Sequence, residues 1–172
     1  MTFYHASHLS FQIGDTWSTN QFVGNATFDH VNRGEEEQQI NILMDSQRPS
    51  DYDSRNKSIF LFDNINHCRF YASRLKNPNL KIYKVKASTP VFGGFPFCLV
   101  DKVYNESSFE IKKRIIQEYW TPTLQWIFLE YITQSIEILD ILDIGNPVLY
   151  NMAIASLSED IDRFNNMRRK FK

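Results

Sequence analysis

Residues 54–87 read SRNKSIFLFDNINHCRFYASRLKNPNLKIYKVKA. Ile59-Phe60-Leu61-Phe62 is an unbroken apolar run closed by Asp63-Asn64, the pattern of a short buried strand and its turn. From Asn66 to Leu75 the apolar Phe70 and Leu75 alternate with arginine and asparagine, as on a short surface helix. Asn77-Pro78-Asn79 stops that helix, and Lys81 to Lys86 resumes as a strand. Tyr71 stands in the middle of the helix with a strand on each side. It either fills a core or offers a platform for a flat ligand.

Outward from this unit the pattern stays mixed. Thr2 to Ala6 is a strand candidate, and His8 to Gln21 reads as loop with Gly14-Asp15 as its turn. Gly34 to Ser46 reads as a helix whose acidic start, Glu35-Glu36-Glu37, suits the positive end of the helix dipole. Gln47 to Lys57 is polar loop, Pro90 to Pro96 is irregular, and Phe97 to Tyr104 is expected to be a strand. Ser107-Ser108 ahead of Glu110 opens a helix to about Trp120, which Thr121-Pro122 ends. Trp126 to Ile132 and Ser135 to Ile141 read as a hairpin or two neighbouring strands. Leu149 to Phe171 carries apolar residues at helical spacing over a long helix. The class expected is α+β, a single domain over residues 1–172.

Composition narrows the function classes. With 42% hydrophobic and 23% charged residues the chain suits a globular domain, and at 172 residues it supports one well-buried core. Aromatic residues reach 15%, with 14 Phe and 8 Tyr, enough to fill a small strand-rich core. A net charge of −1 gives no global field toward nucleic acid or acidic membranes. Cys68 and Cys98 lack metal-ligand spacing, so free thiols are expected. His8, His30 and His67 show no ligand spacing either and are expected on the surface. Without an N-terminal basic-apolar leader or a membrane-length apolar run, a cytoplasmic location is expected.

Three short pieces carry candidate chemistry: FYHAS with His5, RFYAS with Tyr71, and LEYI with Glu130. Glu130 is the oddest of them, because an ionised carboxylate inside an apolar strand costs free energy unless it faces a cleft or finds partners. Glu118 and Glu137 stand out equally on composition alone. Taken singly, His5 reads as a strand-end histidine and Tyr71 as a half-buried helix tyrosine.

In this order and spacing the pieces resemble the ADP-ribosyltransferase fold, in its His-Tyr-Glu branch of diphtheria-toxin-like and poly(ADP-ribose) polymerase-like domains. FYHAS is similar to the family's first-strand motif, KSIFLFDNINHCRFYA to the polymerase strand–helix motif, and LEYI to the segment bearing the catalytic glutamate. HLSFQIGDTW is also similar to the turn of the rifamycin ADP-ribosyltransferases. The resemblance implies a split β-sheet core with flanking helices and a long C-terminal helix. It implies NAD as co-substrate, with no metal. His5 would bond the adenosine ribose, the Ala6 backbone would hold the nicotinamide amide, and Tyr71 would stack on nicotinamide with Phe60 as second aromatic. Ser7, Ser58 and Cys68 fall at cofactor-binding positions, and Arg55 is the candidate for the phosphate arm. Glu130 would be the catalytic residue.

Three departures from the family pattern bear on substrate. Ala6 stands where the family usually has glycine, and Cys68 where the polymerases have a serine. Phe128, two before the glutamate, differs from the Glu or Gln of arginine-specific members, so an arginine acceptor is not expected. The expected activity is mono-ADP-ribosylation of a macromolecule, RNA, DNA or protein, by an intracellular toxin or defence effector that an antitoxin protein restrains. A small-molecule acceptor, in an apolar groove near Trp17, Phe22, Phe28 or Trp126, is an alternative. A catalytically inactive ADP-ribose- or partner-binding domain is another. RFNNMRRKFK at residues 163–172 reads as a solvated, fraying helix end or as a small patch for nucleic acid or an acidic partner.

Overall fold

The computed structural model describes residues 1–19, 35–75, 79–145 and 150–170, with backbone alone for 35–38. Phe22, Phe28 and His30 lie outside the described residues, as do both ends of the helix expected over Leu149 to Phe171. The described elements follow in the order β1 (Phe3–Ser7), β2 (Thr16–Ser18), α1 (Glu35–Ser46), a 3-10 turn (Arg55–Lys57), β3 (Ile59–Leu61), α2 (Ile65–Arg74), β4 (Lys81–Ala87), β5 (Phe92–Pro96), α3 (Phe97–Asn105), α4 (Phe109–Trp120), β6 (Leu129–Thr133), β7 (Ser135–Leu142) and α5 (Asn151–Arg169). The strands form two antiparallel sheets, β1-β4-β7-β2 and β3-β6-β5. The class is α+β. Among the described residues no helix is long and apolar enough to cross a membrane.

Local signals explain most elements. Asn64 caps α2, its side-chain oxygen accepting from the Asn66 amide at 2.8 Å, and Ser108 caps α4 by accepting from the Ile111 amide at 3.4 Å. Glu106 supports the second cap by accepting from the Ser108 amide at 3.0 Å. Gly14, at φ +91°, makes the turn into β2, where the Asp15 carboxylate accepts from the Gln12 amide at 2.7 Å.

Several expectations are corrected. The loop expected over His8 to Gln21 contains β2, which pairs with β7 through Trp17 and Ile136. The irregular Pro90 to Pro96 contains β5, whose register shifts between Gly93 and Phe95. The strand expected over Phe97 to Tyr104 is helix α3. Leu99 and Val103, one turn apart, are both buried against α4, so period 3.6 prevails over a run that reads equally as strand. The runs around Glu130 and Ile138 are not a hairpin: β6 pairs with β3 and β5, whereas β7 pairs with β4 and β2. The chain changes sheets at Gln134. Trp126 to Phe128 precede β6, because the Asp160 carboxylate accepts the Ile127 and Phe128 amides at 3.0 and 2.8 Å.

Among the described residues the core has three parts. One lies between the β3-β6-β5 sheet and the helices, around Phe60, Phe95, Tyr119, Trp120 and Ile132. A second holds Phe3, Trp17, Ile59, Leu61 and Tyr83. The third gathers Ala6, Phe62, Cys68, Phe97 and Phe128, with Tyr71 at its rim. The C-terminal helix is docked through part of its last turns. Phe164 and Met167 are buried, and Arg168 pairs with Glu106 at 2.9 Å.

Candidate functional site

β3 brings the motif-bearing segments together. Tyr4 and Phe62 exchange backbone hydrogen bonds of 2.8 and 2.9 Å, which stitch β1 to the end of β3. On the other side of β3, Phe60 lies opposite Ile132 and Leu61 opposite Tyr131 of β6. The FYHAS, SIFLF and LEYI segments are therefore neighbours in space. With strands about 4.8 Å apart, β1 and β6 are separated by roughly 10 Å across β3.

His5 is buried, and its Nδ1–H donates to the Phe60 carbonyl at 2.8 Å, which sets the ring's orientation. Its ring lies 5.4 Å from that of Trp17. Ala6 is buried in the third core part, and the Ser7 hydroxyl accepts from the Leu9 amide at 3.1 Å. Ser58 donates its hydroxyl to the Ser54 carbonyl at 2.7 Å. Tyr71 is half-buried, 5.2 Å from the Phe62 ring and 6.0 Å from Phe97. Cys68 is fully buried, and burial pushes its thiol well above the ordinary range.

Glu130 and Arg55 meet. Glu130 is 2% exposed and Arg55 5%. Arg55 Nη1 donates to Glu130 Oε1 and to the Tyr119 hydroxyl, and the Tyr119 hydroxyl donates to the same Oε1 at 2.5 Å. The guanidinium carbon stands 4.7 Å from the centre of the Phe60 ring and 5.0 Å from that of Tyr119. Burial works against the Arg55 charge, but the Glu130 carboxylate and the Tyr119 side chain together outweigh it and hold the guanidinium above its usual range. Burial pushes Tyr119 well above the ordinary phenol range, so it remains a neutral donor.

Of the expected site residues, the fold joins Arg55, Phe60 and Glu130 directly and His5 through the Phe60 carbonyl. It leaves Tyr71 and Cys68 in a different part of the core. Glu130 lies opposite Phe95 of β5 with its carboxylate on Arg55 and Tyr119, whereas the His5 ring lies against Trp17 and the Phe60 carbonyl, so the two side chains have different surroundings. Arg55 is an internal partner of Glu130 in this structure.

His67, expected on the surface, is buried and stacked on Phe128 at 4.1 Å, because helix α2 turns that side toward the third core part. Tyr119 is a residue that the sequence reading does not single out. The available signal is its place on the buried side of α4, with Ile116 and Ile115 three and four residues before it. Among the described residues no group of His, Cys, Asp or Glu gathers to hold a metal ion. No family model and no curated protein matches the chain.

Proposed function

We propose that the chain is an NAD-dependent ADP-ribosyltransferase acting on a macromolecule. The observation supporting this reading is the convergence on β3 of three segments far apart in sequence, those bearing His5, Phe60 and Glu130. The reaction breaks the bond between nicotinamide nitrogen and ribose carbon. The bonding pair leaves with nicotinamide, an acceptor nucleophile bonds the ribose carbon, and the acceptor's proton is released. Positive charge develops on the sugar, so a carboxylate nearby stabilises the transition state, and one bonding a ribose hydroxyl also orients the ring.

A second reading, a domain that binds ADP-ribose or a partner without turnover, is favoured by the different surroundings of His5 and Glu130 and by the buried pairing of Glu130. One experiment separates the two. Purified protein and Glu130→Gln are given NAD labelled in the ADP-ribose part, with cellular RNA, DNA and protein as acceptors. Label entering one fraction with wild type but not with Glu130→Gln is the expected result. Binding of NAD by calorimetry without turnover supports an ADP-ribose-binding domain, and neither binding nor turnover overturns the transferase reading and leaves the partner-binding domain.

A further inference from the structure

The carboxylate of Glu130 is held at one end. Both donors that reach it, Arg55 Nη1 and the Tyr119 hydroxyl, converge on Oε1. Among the described residues no donor reaches Oε2. Oε2 is the oxygen that these two donors leave unengaged, on a side chain that is 3% exposed. The support for the two donors is rigid. Tyr119 stacks on Phe95 at 5.0 Å and meets Trp120 edge-on at 5.1 Å, while the backbone of Arg55 donates to Asp45 Oδ1 at 3.0 Å.

A buried ion pair in an apolar core is a poor device for stability, since apolar residues of similar volume often serve as well. It is a good device for fixing one oxygen of a carboxylate while leaving the other for a hydroxyl. We infer that Tyr119 and Arg55 are positioning residues that clamp Oε1 of Glu130 and present Oε2 to a sugar hydroxyl of the bound substrate. This rests on the transferase reading and deepens it. The two residues act through Glu130 and touch no substrate atom themselves.

The test is steady-state nicotinamide release from NAD, with cellular RNA, DNA and protein supplied as acceptors, by wild type, Tyr119→Phe and Arg55→Lys, with near-ultraviolet circular dichroism to verify folding. Tyr119→Phe removes one oxygen and keeps the stacked ring. Loss of a hydrogen bond to a charged group is expected to lower kcat about tenfold or more, with KM for NAD unchanged. Arg55→Lys keeps the charge with a different donor geometry and is expected to show the same split. Unchanged kcat in folded Tyr119→Phe, or a raised KM alone, overturns the positioning role while the transferase reading stands. A wild type that releases no nicotinamide overturns both.

Discussion

Arg55 and Glu130 show how a single side chain's environment sets its cost. Each removes the other's burden, so deleting one leaves the other charged and buried without its counter-ion. Arg55→Ala is expected to lower stability by about 3–5 kcal/mol, whereas the double replacement Arg55→Met with Glu130→Leu restores most of it. Urea denaturation of the wild type, both single variants and the double variant checks this. A double variant no more stable than Arg55→Ala would count against the pair. The oddity of Glu130 was legible in the sequence, because a carboxylate between Leu129 and Tyr131-Ile132 must find donors. Their identity was not, since Arg55 lies 75 residues away.

At the scale of elements, close approach decides where small residues stand. Gly93 of β5 lies under the Tyr131 ring, and a Cβ there would fall 2.0 Å from a ring carbon. Gly93→Ala therefore forces the tyrosine aside and is expected to cost about 1–3 kcal/mol, read as a lower melting temperature. A melting temperature equal to wild type would mean that β5 shifts freely. The helices that announce themselves by caps, α2 and α4, were legible within a residue or two. β5 and α3 were not, because glycine, proline and phenylalanine at residues 92–97 leave local preference undecided, and pairing with β6 and packing against α4 settle it.

For the whole molecule, His67 joins the layers: it belongs to α2, stacks on Phe128 before β6, and faces Asp63 and Asp160. Burial lowers its proton affinity, which the two aspartates only partly offset. The unfolded chain therefore takes up the proton first, and stability is expected to be full above about pH 6.5 and to fall as pH drops below it. Melting temperature from pH 8 to 5 should decline less in His67→Phe than in wild type, and parallel curves would remove His67 as the cause. By itself the sequence determined the mixed class, the capped helices and the motifs on β1, β3 and β6, because spacing and capping are local properties of the chain. Only the tertiary structure decided that β6 and β7 belong to different sheets, that Glu130 turns to Arg55 and Tyr119, and that Tyr71 lies in another part of the core. Those outcomes depend on which distant surfaces pack together, and no local pattern encodes that choice.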